Sequence, residues 1–260
     1  MVHATSCLYK TVFGGSSSSK SKGMGAGMGM GMGTGMSPGI LMGGGKVPSL
    51  SLLFNQKKEF LLYVFANLIV QLGITYYVMT NYNAKPEMSH LMLFLSQLFI
   101  IFILAFVPMP AWMKFILFSV FSATFGIMLA SLKKTVDPAI LKTALVGTLG
   151  IFSGMFLTGL GLLLFGIELT GRFGLGLLYA LLFLIVASIV FMFMGNYSGA
   201  VKGLSVVGLM LFSLFVVYDT NTILQRNYYG DFITASLDYY LDIINIFLNQ
   251  AGNLSSPHSS

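Results

Sequence analysis

Seven apolar stretches follow one another along most of the chain, and they leave it few ways to fold. They read 60–80, 90–107, 113–132, 143–165, 173–194, 202–224 and 235–250. Each of the first six approaches the roughly 17–25 residues that cross a bilayer as an α-helix. Lipid offers no hydrogen bonds, so the backbone of such a stretch must satisfy itself, which a helix does. The linkers are short. Asn81–Glu87 joins the first two spans, Pro108-Met109-Pro110 the next two, and 133–138 the pair after that. Proline removes a donor and restricts its neighbour, which ends helices sharply. Short linkers also make sequence neighbours antiparallel. The expected fold is all-α: a seven-transmembrane-helix bundle with a short, polar-faced last helix near the centre. That last stretch tolerates a bilayer only if other helices shield it. A six-crossing bundle with a re-entrant last segment is the alternative.

Charge supports a membrane domain. Only 8% of the 260 residues are charged and 56% are hydrophobic, whereas a soluble domain carries about 25% charged residues. The membrane domain is expected over 57–250. A Gly/Met/Ser-rich tail over 1–56 precedes it, and a polar tail over 251–260 follows. Gly at the density of 24–36 cannot offset its ordering entropy, so that tail should be disordered. The net charge of +6 does not indicate nucleic acid, because six lysines lie before the first span. Cys7 is the single cysteine, which excludes an internal disulfide and a multi-cysteine metal site. His3, His90 and His258 are scattered and form no ligand set. No cofactor is expected. The obligatory partner is the lipid bilayer.

Lys46, Lys57 and Lys58 place the N-terminus on the cytosolic side by the positive-inside rule. The loop after the sixth span, with Arg226, then also faces the cytosol, and Asp219 and Asp242 on either side of it should open towards that face. Lys133, Lys134 and Lys142 disagree, whereas the sequons at Asn196 and Asn253 fall outside and agree. Acid-free residues 1–58 leave the mitochondrial inner membrane as an alternative address, although Arg is absent from them.

Asp219 and Asp242 lie inside the last two spans, on either side of a loop taken as 225–234. An intramembrane carboxylate is costly and marks a functional site by default. Both should sit roughly 9–12 Å from the same membrane face. Asp238, Asp242, Asn245 and Asn249 recur at steps of four, three and four, one face of a helix. Two carboxyl groups meeting away from water cannot both ionise cheaply, so they would share one proton near neutral pH. Such a pair can act as a pH-sensitive latch, and its oxygens suit transient Ca²⁺. The plainer alternative is two aspartates that cap or hydrogen-bond helix ends.

Tyr218-Asp219-Thr220, Gly230-Asp231-Phe232-Ile233 and Ala235-Ser236-Leu237-Asp238-Tyr239-Tyr240-Leu241-Asp242-Ile243-Ile244-Asn245 together resemble the C-terminal signature of the Bax inhibitor-1 family. The resemblance extends over about 57–250. It implies a seven-helix membrane protein, a pH-gated Ca²⁺ leak and suppression of cell death in the endoplasmic reticulum or a related internal membrane. Asp219 and Asp242 match the family's paired aspartates, with Tyr218, Thr220, Asp238 and Asn245 as the supporting polar face. Ca²⁺ and protons are the implied small partners, and cell-death regulatory membrane proteins the implied macromolecular ones. The resemblance also associates a basic residue on an early helix with the pair, but 91–107 contains no Arg or Lys.

No enzyme is expected. An intramembrane aspartyl protease resembles the chain at Tyr218-Asp219 and Gly230-Asp231, yet Asp231 falls in a loop and no downstream Pro-Ala-Leu follows. No phosphate loop, nucleophile elbow or zinc motif is present. The competing readings are a non-conducting adaptor that suppresses cell death through protein contacts, and a proton-coupled carrier.

Polar residues in other spans read as structural. Asn67, Gln71 and Gln97 suit interhelical hydrogen bonds, and Gly150 and Gly154 form a GxxxG pair suited to close helix contact.

Overall fold

The computed structural model describes residues 50–83, 90–194, 197–226 and 230–255. They form seven helices: α1 (Leu50–Asn81), α2 (His90–Phe106), α3 (Ala111–Thr135), α4 (Pro138–Leu164), α5 (Gly171–Met194), α6 (Tyr197–Arg226) and α7 (Phe232–Ser255). The chain is an all-α, multi-pass membrane protein, a seven-helix bundle. Five helices are long and apolar enough to cross a bilayer by themselves: α1, α3, α4, α5 and α6. The apolar part of α2, Met92–Phe106, is shorter.

Local chemistry sets several helix ends. Pro110 precedes the first turn of α3. The Asp137 side chain accepts from the Ala139 N–H at 2.7 Å and caps α4, with Pro138 at its first position. Gly166 follows α4 at φ +77°, where a side chain would be strained.

Two expected boundaries are wrong. Helix α1 begins at Leu50, so 50–56 belong to a helix and not to the tail. The rest of the expected disordered segment, 1–49, lies outside the described residues. Helix α7 is 24 residues long and continues to Ser255, through the first half of the expected C-terminal tail; residues 256–260 lie outside the description. At about 1.5 Å per residue it is about 36 Å long, enough to cross a bilayer. It is neither short nor dimensioned as a re-entrant segment. The physical reason lies at its two ends. Asp231 caps the start, and Ala251, 1% exposed, is still packed one residue past the expected end.

Helix α7 sits at the centre. Helices α6, α4 and α1 pack around it, with a smaller contact from α3. Tyr239 and Tyr240 are fully buried. Phe65 stacks on Tyr239 and Phe152 meets it edge-on at 5.4 Å, while Phe118 meets Tyr240 edge-on at 5.2 Å. Aromatic pairs in such arrangements contribute beyond their buried area.

A buried polar network joins α1, α3 and α7. Asn67 donates to the Ser236 hydroxyl, and Ser122 donates to Gln71 Oε1 at 2.9 Å. The Thr75 and Tyr240 hydroxyls are 2.6 Å apart. Asn67 and Gln71 are thus interhelical hydrogen-bonding residues, as their spacing suggests. Gln97 is not. It is 3% exposed, yet its Nε2 has no hydrogen-bond partner.

The GxxxG reading also fails. Nothing lies within 4 Å of a Cβ added at Gly150 or Gly154. The close contact on α4 is at Gly159, where an added Cβ would stand 2.6 Å from the Val217 carbonyl oxygen of α6.

Candidate functional site

The site is built where α6 faces the central helix. Asp219 lies seven residues before the end of α6 and Asp242 ten residues after the start of α7. These depths are about 10 and 15 Å from the same end of the bundle. Both are buried, at 1% and 3% exposure. Their carboxyl groups are in hydrogen-bond contact with each other, and Asp238 is close enough for its charge to act on both. Two carboxyl groups in such contact need one proton between them. The outer oxygens, Asp219 Oδ1 and Asp242 Oδ2, are buried and meet no donor. Buried polar atoms rarely stay unsatisfied without a reason.

The supporting residues divide. Asp238 and Asn245 join Asp242 along the wall of a 490 Å³ cavity. Thr220 accepts from the Tyr239 hydroxyl at 3.1 Å, just beside the pair. Tyr218 goes elsewhere: it packs against Phe173 of α5 with ring centres 6.0 Å apart. Successive helical residues point about 100° apart, so the neighbour of Asp219 looks at a different helix.

The predicted stripe of α7, Asp238, Asp242, Asn245 and Asn249, lines this cavity in full. Helices α2, α3, α5 and α6 supply its other walls, largely with Phe, Leu and Ile. The direction of the cavity corrects the sequence reading. It extends from Asp242 along Asn245 and Asn249, away from the loop after α6, and not towards that loop. On the loop side of the pair, Ile223, Leu224, Ala235 and Leu237 are packed at 2% exposure or less.

Among the described residues, no group of three or more His, Cys, Asp or Glu side chains is arranged to hold an ion. Ca²⁺ takes 6–8 oxygen ligands. A passing ion at Asp219 and Asp242 would keep water or take amide oxygens from the α7 stripe.

Three residues around the site escaped the sequence reading. Asn221 follows Thr220 on α6. Its Oδ1 accepts from the Leu169 N–H at 2.8 Å, and its Nδ2 donates to the Ile167 carbonyl at 3.0 Å. It clamps the α4–α5 connection against the helix that carries Asp219. Asn221→Ala strands both backbone groups, and we expect a loss of about 2–3 kcal/mol, read as a lower thermal midpoint of the solubilised protein. No sequence signal marks this role, since the partners lie more than fifty residues away.

Asp231 and Lys114 are the other two. Asp231 Oδ1 accepts from the Thr234 N–H at 3.0 Å, an N-cap for α7, and its carboxylate forms a salt bridge with Lys114 of α3. Thr234 Oγ1 donates to the same carboxylate at 2.7 Å. The Asp-x-x-Thr pattern before an apolar run was a readable cap signal. Burial by itself would push the Asp231 carboxyl up, but Lys114 and the two Thr234 donors outweigh it and hold it below the ordinary carboxylate value. The stabilisation is therefore complete above pH about 4 and fades as pH falls through the lowered folded-state value. Asp231→Ala should cost about 1–2 kcal/mol at neutral pH. The gap between variant and parent in thermal denaturation should close as pH falls below about 4.

Comparison with known proteins places this geometry in context. The sequence model of one protein family, described as "Inhibitor of apoptosis-promoting Bax1", matches residues 57–254. An uncharacterized protein of Deinococcus radiodurans is 30% identical over 195 residues, covering 70% of this chain and 82% of that protein. The Golgi anti-apoptotic protein of Vaccinia virus (strain Lister) is 35% identical over 78 residues, 30% of this chain and 32% of the viral protein. Protein LIFEGUARD 3 of Arabidopsis thaliana is 37% identical over 78 residues, 30% of each chain. The viral and plant similarities therefore span about a third of those proteins' length.

Proposed function

We propose, from the premise that this chain belongs to the Bax inhibitor-1 family, that it is a pH-sensitive Ca²⁺ leak of an internal membrane and suppresses cell death. The observation that carries this reading is the contact between the Asp219 and Asp242 carboxyl groups at the inner end of the cavity. Their shared proton acts as the latch. Losing it leaves two like charges in contact in a poorly solvated place, and their repulsion drives α6 and α7 apart. The separation opens the packed layer of Ile223, Leu224, Ala235 and Leu237. A cation entering along α7 meets the amide oxygens of Asn249 and Asn245 and then the carboxyls of Asp242 and Asp238 on that one face, oxygen groups that suit Ca²⁺. The viral relative, named a Golgi anti-apoptotic protein, supports the cell-death role and an internal membrane.

The test is Ca²⁺ entry into liposomes that contain the purified full chain, loaded with a Ca²⁺ indicator and clamped at a series of pH values. Entry above that of empty liposomes, changing with pH, is the expected result. Absence of entry at every pH removes the leak reading.

A second reading has an observation of its own. The packed layer beyond the pair closes the cavity at one end, as a non-conducting adaptor would. In that case the aspartate pair holds α6 to α7, and cell-death suppression persists without any flux.

A further inference from the structure

The cavity has a composition that simple ion passage does not require. Its volume of 490 Å³ lies within the roughly 300–1,000 Å³ of small-molecule sites. Its walls are mostly apolar side chains of α2, α3, α5 and α6, and its polar groups come from α7, Gln97 and Ser188, whose hydroxyl donates to the Leu184 carbonyl. Helix α2 packs on α3, and α5 packs on α6, so the cavity occupies the gap between α2 and α5. Phe94 and Leu98 on that rim are 45% and 46% exposed. In a bilayer this rim faces hydrocarbon, and an apolar chain can enter from the side.

The polar groups define a head. Asp242 Oδ2 is buried without a donor, and Asp238 lies beside it on the same wall. Asn245 and Asn249 turn their amide nitrogens back onto the Leu241 and Asn245 carbonyls, at 2.7 and 2.8 Å. Each keeps its amide oxygen and one further N–H for an occupant. Gln97 adds a buried donor without a partner, its Nε2. With the Asp238 and Asp242 carboxyls the wall is richer in acceptors than in donors and carries negative charge. Its complement has several donors, a positive charge and an acceptor.

We propose that this cavity binds a single-chain cationic amphiphile, a long-chain amine that also carries a hydroxyl on its head. The ammonium sets against the Asp242 carboxylate, a charge-assisted bond in a dry site. The hydroxyl oxygen accepts from Gln97 Nε2. The aliphatic chain lies against Phe94, Leu98 and Ile185 and leaves through the α2–α5 gap. A fatty acid of the same length brings a negative head to a negative wall and is excluded. The inference does not depend on whether the protein conducts ions.

Photolabelling of the full chain in phosphatidylcholine nanodiscs tests it. The probe is 1-amino-2-dodecanol bearing a diazirine on its chain. Labelled peptides should come from α2 and α5. Unlabelled 1-amino-2-dodecanol should compete, and dodecanoate should not at tenfold higher concentration. Gln97→Leu should weaken competition about tenfold, the loss of one hydrogen bond to the head. Ile185→Trp fills the cavity and should remove the labelling. Equal competition by dodecanoate overturns the proposal. So does unchanged labelling of an Ile185→Trp protein that elutes like the parent. If that variant does not elute as a single species, the contrast between amine and carboxylate on the parent protein decides.

Discussion

Asp242→Asn in the reconstituted protein flattens the dependence of Ca²⁺ flux on pH. The asparagine amide can still donate to Asp219, so the contact between α6 and α7 survives while its titrating proton disappears. In the parent, loss of one shared proton allows up to about a tenfold change of open population per pH unit. In the variant the change should be under about twofold over the same range. Asp219→Asn should behave likewise, because the titration belongs to the pair and not to either residue. Asp242→Leu separates the latch from the packing. It removes both proton and hydrogen bond, leaves Asp219 buried without its partner, and should lower the thermal midpoint as well. Parent-like flux–pH curves in both asparagine variants would show that the carboxyl contact only holds the helices together.

Gly159→Val should be among the most damaging single changes available in the apolar body of the protein. Its added Cβ would lie 2.6 Å from the Val217 carbonyl oxygen and 2.8 Å from Thr220 Cβ. Backbone cannot rotate out of the way as a side chain can, so α4 must move off α6 beside Asp219. Gly126→Val does the same to α3 against α1, with the Thr75 carbonyl oxygen 2.7 Å from the new Cβ. Overpacking of this kind typically costs 1–3 kcal/mol and sometimes more; we expect about 3 kcal/mol at each site. Gly150→Val and Gly154→Val are the controls. Open space surrounds both, and their thermal midpoints should stay close to the parent. A parent-like midpoint for Gly159→Val would show that α4 and α6 have slack the structure does not show.

The glycine contrast also marks how far a linear reading reaches. GxxxG describes spacing along one helix, and Gly150 and Gly154 have it. Whether a neighbour comes to that face depends on the azimuth of α4 in the bundle, which is set by contacts from other helices. Gly159 stands outside the motif and takes the contact. Gln97 carries the same lesson. An amide in an apolar span predicts an interhelical bond, because leaving it unpaired is costly. The position of α2, held mainly by α3, instead leaves its nitrogen on a cavity wall. Lys114 and Asp231 are far apart in the chain, and only their meeting across α3 and α7 makes them a pair.

The seven helices, their residence in a bilayer and the polar stripe of α7 were readable directly. They follow from continuous apolar length, from the cost of unpaired backbone in lipid and from the helical repeat. Those are properties of a segment considered alone. Tertiary structure decided that α7 runs unbroken to Ser255 at the centre of the bundle, that Tyr218 turns away from Asp219, and that the cavity leads away from the loop after α6. Each depends on which helix stands opposite, and periodicity specifies a face without specifying its neighbour.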